Sequence, residues 1–300
     1  MQNSLLSSIG NTPLVKLKTP AYYSLFAKCE MMNPSLSIKD RMVLYMLNSA
    51  VKKGLLKEGA SIVEASSGNT GCALAMIGAI KKYPIIITTP TKTSAEKIAM
   101  MRLYGATVHV SDNYIQLVKH LVSTLPNSYF FDQYNNLDNR EAHYHTTGPE
   151  IWAQTEGNID FFIAAGSTGG TISGVGRYLK EKNAKIKIIL ADPVGSCYRS
   201  YFKTGKVNET EIKAYKVEGA GKDKLCACID FSVIDDVMSF TDAQAFDEVK
   251  HLAKTEGLFV GGSSGGAVFV AKTLAKQIKN PANIVVILPD SALKYQYLLS

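Results

Sequence analysis

The chain has 300 residues, 46% hydrophobic and 20% charged, enough to bury a large core and to divide into two domains. Its 33 basic and 26 acidic residues leave a net charge of +7. The lysines are scattered singly and in pairs, with no long basic run interleaved with aromatics, so neither a nucleic-acid partner nor a strongly basic surface is indicated. A small anionic substrate or cofactor accounts equally well for a mild positive excess. The start "MQNSLLSSIGNTPLVKL" lacks the basic opening and unbroken apolar run of a signal peptide, and no stretch approaches a membrane span, so no membrane association is expected. Cys29, Cys72, Cys197, Cys226 and Cys228 are odd in number and form no CxxC. That argues against a disulfide framework or zinc site and points to a reducing, cytoplasmic setting.

In chain order, "ASIVEA" at 60–65, a helix over 71–82, "IIITTP" at 85–90, a helix over 94–104 and "ATVHV" at 106–110 alternate as βαβ units do. The rhythm recurs with "DFFIAAG" at 160–166, a helix over 171–182, "KIIL" at 187–190, helices over 241–256 and 265–279, and "IVVILP" at 284–289. Short apolar runs between helical stretches predict parallel sheets, here in two α/β layers. Residues 196–224 are polar and aperiodic, and read as a long excursion or a substrate-facing loop. Cys226 and Cys228 would face one side of a strand, where they read as a small apolar pair. The pair in "HYH", His143 and His145, has no metal-spaced acidic partner and reads as structural.

Three small-residue turns follow apolar segments and lead into helices, at the strand ends where open parallel sheets place ligands. "SSGNTG" spans 66–71, "GSTGGTISG" spans 166–174 and "GGSSGG" spans 261–266. Backbone N–H groups at such helix starts suit an anion. In "STGGT" the hydroxyls of Ser167, Thr168 and Thr171 add donors, and Gly169 and Gly170 allow close backbone approach, so the turn reads as a phosphate cup or as a tight turn without ligand. Neither GxGxxG nor Gly-Lys-Ser/Thr is present, which excludes a dinucleotide fingerprint and a Walker loop. A serine of "GGSSGG" either addresses a ligand or caps a helix. A lysine after a Pro/Ser turn, Lys39 in "NPSLSIKDR", completes a set of parts able to hold pyridoxal phosphate.

At this point the chain resembles the cysteine synthase and cystathionine β-synthase family of fold-type II pyridoxal phosphate enzymes. The resemblance is carried by "NPSLSIKDR", "SSGNTG", "TTGPEIW", "STGGTISGVGRYLKEKN" and "EGLFVGGSSGGAV", and runs from "IGNTPLVKL" to "ILPDSALKY". It implies a tryptophan synthase β-like fold, with a larger α/β domain from 1–38 and 148–300 carrying the phosphate cup and a smaller one at 39–147 carrying the substrate-carboxylate loop. It implies that Lys39 forms the Schiff base and moves protons at Cα, that burial depresses its pKa, and that Asn69 bonds the cofactor's ring oxygen. Ser66, Ser67, Thr70 and Gln133 match the substrate-carboxylate grip. Ser167, Thr168, Gly169, Gly170 and Thr171 match the phosphate cup, and Ser263 matches the serine at the pyridine nitrogen. A neutral serine there favours expulsion of a Cβ leaving group over a long-lived carbanion. The implied chemistry is β-elimination followed by β-replacement in a homodimer.

The chain departs from the family pattern at Ser35 and Leu36, where glycines are usual, at Ser167, and at Ala292 and Leu293. Within the family, "AYKVEGAGKDKL", "NREAHYHT" and "DPVGS" lean toward the cystathionine β-synthase branch. Asp223 stands where that branch has an acid and the sulfhydrylases have glycine, which makes it a solvated loop carboxylate or a base for incoming water, hydroxyl or thiol. The expected activity makes or breaks the C–S bond of cysteine, serine or O-acetylserine, with thiol, sulfide or water as second substrate and hydrogen sulfide as a product from cysteine. A serine/threonine dehydratase, a diaminopropionate-type synthase and a non-catalytic regulatory homologue are the alternatives. Retention of Lys39 argues against the last.

Overall fold

A computed structural model describes residues 4–295; residues 1–3 and 296–300, which the expected larger domain includes, lie outside it. In chain order the elements are β1 (Leu14–Lys16), β2 (Tyr23–Cys29), α1 (Lys39–Lys52), β3 (Ser61–Ala65), α2 (Asn69–Lys81), β4 (Ile85–Thr89), α3 (Ala95–Leu103), β5 (Thr107–Val110), α4 (Tyr114–Thr124) and β6 (Ser128–Phe130). There follow α5 (Asp138–His145), α6 (Thr147–Gln154), β7 (Phe161–Ala165), α7 (Gly170–Lys182), β8 (Lys187–Pro193), α8 (Tyr198–Thr204), β9 (Asp236–Phe240), α9 (Asp242–Glu256), α10 (Gly262–Ala275) and β10 (Ala282–Leu288).

The strands form a six-stranded sheet in the order β1-β2-β10-β7-β8-β9 and a four-stranded sheet in the order β5-β4-β3-β6. Every pairing is parallel except β1 with β2. Two parallel-sheet α/β layers are therefore present, as the alternation of runs and helices predicts. The sequence of β10, "ANIVVIL", is apolar almost throughout because its neighbours β2 and β7 flank it and helices cover both faces. Ile284, Val286 and Leu288 face one core with Leu25, Val268 and Ala271, while Val285 and Ile287 face another with Phe162, Ile172 and Val175. Among the described residues no helix is long and apolar enough to cross a membrane.

The segment "NPSLSIKDR" is tied to both ends of this frame. Ile38 N–H donates to the Pro289 carbonyl at 2.8 Å, and Ser37 bridges Asp290, so the start of α1 is stitched to the exit of β10. Asp40 accepts from Ser35 N–H at 2.7 Å and from the Ser35 hydroxyl, closing the turn on itself. Leu36 holds φ at +62°, the conformation a glycine adopts freely. The residue departs from the family pattern, but the backbone conformation that suits glycine is present.

Arg41 points the other way, into a buried ion network. It reaches Glu30 through Nε at 2.7 Å and Nη2 at 2.8 Å, and Glu150 through Nη1 at 2.6 Å and Nη2 at 2.7 Å. Lys28 Nζ adds a bond of 2.7 Å to Glu150. These contacts join β2, α1 and α6. Burial alone would raise the Glu150 pKa, but Arg41 and Lys28 outweigh it and hold it at about 2, below its ordinary 4.5. A depressed carboxyl contributes stability above its unfolded value and loses it as pH falls through the folded value. Glu150→Gln is expected to destabilise by an amount near the lower end of the about 3–5 kcal/mol for breaking a buried pair, because Glu150 is partly exposed. Denaturant titrations should show the gap to wild type at neutral pH narrowing from about pH 4.5 toward 2; a pH-independent gap would assign the loss to packing instead.

Candidate active site

A cleft of about 970 Å³ lies where the β3–α2 turn, the β7–α7 turn, the start of α10 and the excursion after β8 converge. Lys39, Ser66, Ser67, Asn69, Thr70, Gln133, Ser167, Thr168, Asp223 and Ser263 all line it. A smaller recess of about 20 Å³ lies beneath Lys39 and is lined by Ser167, Thr168, Gly169 and Thr171. Of the candidate catalytic, cofactor-binding and substrate-binding residues, only Gly170 lines neither space. It instead packs so closely on Asn139 that an added Cβ would lie 2.0 Å from Oδ1.

Lys39 is the first residue of α1, and among the described residues its amine makes no hydrogen bond or ion pair. Burial lowers its pKa, Asp290 pulls it back up, and Lys294 lowers it further. A half-buried amine without a partner, opening into a cleft, is a nucleophile and base in waiting. This is the depression that the sequence resemblance implies.

The β3–α2 turn is built by its own hydroxyls. Ser66 Oγ accepts from Gly71 N–H at 3.0 Å, folding the turn over the start of α2. Thr70 Oγ1 donates to Gln133 Oε1 at 2.6 Å, and Gln133 Nε2 donates to Glu64 at 3.0 Å. Burial pushes the Glu64 carboxyl up to about 8. Ser67 is exposed, so this turn presents one open hydroxyl beside a buried, preorganised pair.

The β7–α7 turn has the form of a cup. Gly169 caps α7 with φ at +85°, and a Cβ there would meet Ile229 Cβ at 2.3 Å, so both conformation and space call for glycine. Thr168 Oγ1 accepts from Asn139 Nδ2 at 3.1 Å, and Thr171 Oγ1 lies 3.3 Å from His143 Nε2. His143 thus supports the cup wall, while His145 stacks on Tyr45, in keeping with the structural reading of both. Ser263 is buried in the first turn of α10. The cap position of α10 is Gly261 and no side chain caps it, so the capping alternative for these serines does not hold.

Asp223 is exposed on the far wall, at the end of the excursion. Tyr114 and Tyr134 line the same cleft, and burial is the main cause of their raised pKa values, with the Asp223 charge adding to it. The excursion itself contains α8 before it runs irregularly along the cleft. Cys226 and Cys228 lie outside any strand and their sulfurs diverge. Cys226 faces the Tyr198 hydroxyl at 3.6 Å, and Cys228 faces the Asn136 carbonyl at 3.2 Å.

Three further residues at or behind the cleft are given no role by the sequence motifs. Lys97, 2% exposed, bonds Glu218 across the cleft at 2.7 Å. Asp290 and Lys294 bond the Asn69 side chain at 2.6 and 2.9 Å. Sequence separations of 221 and 225 residues hide those contacts from any local pattern.

The parts present fit pyridoxal phosphate: an amine without a partner, a hydroxyl-rich cup at a helix N-terminus for the phosphate, and a small polar residue at the start of a second helix. A family model described as "Pyridoxal-phosphate dependent enzyme" matches residues 5–290. Cystathionine beta-synthase of Apis mellifera is 41% identical over 97% of the chain, which spans 60% of that relative's length. The O-acetylserine dependent cystathionine beta-synthase of Bacillus subtilis is 38% identical over 96% of the chain and 94% of its own length. A crystal structure of a hydrogen sulfide-producing enzyme from Fusobacterium nucleatum superposes with a TM-score of 0.91 at 33% identity, covering 98% of both chains. Motif, fold and relatives agree, and the chain belongs to the pyridoxal-phosphate dependent enzyme family.

Proposed function

We propose that this protein eliminates or replaces the Cβ substituent of cysteine, serine or O-acetylserine, making or breaking a C–S bond and releasing hydrogen sulfide when cysteine is the substrate. The observation that carries the reading is the Lys39 amine, without a partner among the described residues and set between the hydroxyl cup and the β3–α2 turn. The names of the relatives, two cystathionine β-synthases and a hydrogen sulfide-producing enzyme, support it.

When bound, pyridoxal phosphate supplies the electron sink that loosens the Cα–H bond and lets the Cβ substituent depart. The protein does the rest. Ser167, Thr168, Gly169, Gly170 and Thr171 hold the phosphate through hydroxyls and backbone N–H groups at the α7 start. Asn69 donates to the ring oxygen, and Ser263 meets the ring nitrogen as a neutral partner. Ser66, Ser67, Thr70 and Gln133 grip the substrate carboxylate, with Thr70 turning its hydroxyl hydrogen from Gln133 to the incoming anion. Lys39 anchors the cofactor and, with its lowered pKa, removes and returns the proton at Cα. Asp223, across the cleft, takes the proton from water or a thiol as it adds at Cβ.

The same reading makes the protein a cytoplasmic homodimer. The five cysteines, all buried and free, suit a reducing compartment. The test is to incubate the cofactor-loaded protein with O-acetylserine, serine and cysteine in parallel, with and without sulfide or homocysteine. Cystathionine or cysteine formation, or sulfide release, is the expected result. Keto-acid and ammonia from serine alone, with no thiol product, would favour a dehydratase; no turnover of any of the three would sink the proposal.

A further inference from the structure

Asn69 is not free at the start of α2. Its Oδ1 accepts from Lys294 Nζ at 2.9 Å, and its Nδ2 donates to Asp290 Oδ2 at 2.6 Å. Asp290 Oδ2 also accepts from the Tyr295 hydroxyl. Lys294 is 3% exposed and Asp290 1%, so these bonds are shielded from water, where hydrogen bonds to charged groups are strong. Burial is also the main cause of a lowered Lys294 pKa, which Cys72, Asp290 and Asp40 oppose and Lys97 reinforces.

A primary amide is close to two-fold in shape and can exchange its oxygen for its NH₂ by turning over. Here a turn is blocked. An ammonium offers only donors, so it accepts no NH₂ opposite it, and the Asp290 oxygen already takes a hydroxyl hydrogen from Tyr295. One orientation of the amide remains, with one Nδ2 hydrogen on Asp290 and the second left over. Asn69 itself is half-buried and lines the cleft, so the spare hydrogen has the cleft to address.

The same two residues also act on Lys39, Asp290 raising its pKa and Lys294 lowering it. Lys39 and Asn69 would meet neighbouring substituents of the pyridine ring, the aldehyde carbon and the ring oxygen. A single buried pair therefore bonds Asn69 directly and adds, behind burial, to the electrostatics of Lys39.

We infer that Lys294 and Asp290 are positioning residues that lock the Asn69 amide so that its second Nδ2 hydrogen is delivered to the cofactor's ring oxygen. The inference rests on the reading of Asn69 as a cofactor contact, and the experiment separates the two.

The protein is reconstituted with pyridoxal phosphate, and two quantities are read besides activity: the position of the visible absorbance band, and cofactor affinity from fluorescence titration. Asn69→Ala removes the donor and sets the reference change. Lys294→Met, which neither donates nor carries charge, should shift the band in the same direction and weaken affinity about tenfold, the scale of one hydrogen bond to a charged group. Lys294→Arg should restore both. Lys294→Gln, which keeps a donor for Oδ1, should fall between. A Lys294→Met protein with wild-type band and affinity, beside an altered Asn69→Ala protein, would overturn the inference. If Asn69→Ala also changes neither, the reading of Asn69 as a cofactor contact fails instead. Should Lys294→Met not fold, Lys294→Gln against wild type decides: an altered band supports the lock, and an unchanged band and affinity overturn it.

Discussion

Lys39→Ala is expected to remove turnover with every substrate while the protein stays folded. Loss of a positioned base alone costs about a hundredfold to ten-thousandfold. Lys39 would also anchor the cofactor covalently, so the combined fall should exceed ten-thousandfold on that scale. The fold should survive because the amine has no hydrogen bond or ion pair among the described residues. Asp40, through Ser35, and Arg41, through Glu30 and Glu150, hold the first turn of α1 without it. Steady-state rates measured beside circular dichroism give the answer. A folded variant that still turns over would take Lys39 out of the mechanism.

Asp223→Asn is expected to act later in the cycle and more selectively. In the proposed cycle the Asp223 carboxyl, exposed on the cleft wall, would receive a proton from the nucleophile rather than hold the amino acid. Its removal should depress sulfide release from cysteine, and exchange with another thiol, by at least the lower limit of about a hundredfold for a positioned base. Substrate binding should persist, because Ser66, Ser67, Thr70 and Gln133 are untouched. The measurement pairs sulfide release with the spectral change on adding cysteine. Unchanged release would make Asp223 a bystander, and a spectral change lost along with release would place it in substrate binding.

The part of the fold legible in the sequence is the part built from local pattern. Between 60 and 110 each strand is a short run rich in β-branched residues and each helix is bounded by small or polar residues, so the expected ends fall within two residues of those observed. The helix at Gly262 begins three residues before expectation and ends four earlier, at Ala275. Its start is made of glycine and serine, which read as turn, yet Gly266 packs so tightly that a Cβ would meet the Phe240 ring at 2.4 Å. Small residues there serve close helix packing as well as loop geometry.

Other elements were masked by charge. The apolar face of α1, Met42, Val43, Met46, Leu47 and Ala50, is present in the sequence at helical spacing. No helix is nonetheless expected there from the sequence, because three consecutive charged residues at its head follow a Pro/Ser turn. The fold withdraws all three, Lys39 to the cleft, Asp40 to Ser35 and Arg41 to the ion network. The candidate site divides in the same way. Motif residues that sit on contiguous turns could be found, whereas Lys97, Asp290 and Lys294 act only once distant segments meet.

The position of β10 has a consequence for the order of assembly. This strand, the last one described along the chain, lies in the middle of the larger sheet between β2 and β7, and its exit carries the Pro289 and Asp290 contacts that start α1. A chain emerging from the ribosome can complete the four-stranded sheet from residues 61–130 early, through neighbouring βα units. Until residues 282–290 arrive, however, β2 lacks its parallel partner and the turn before Lys39 lacks its anchor. Long-range parallel pairings of this kind form slowly. The Lys39 amine is therefore among the last of these features to be placed, so a nascent chain presents no complete cleft before residues 282–290 have been made.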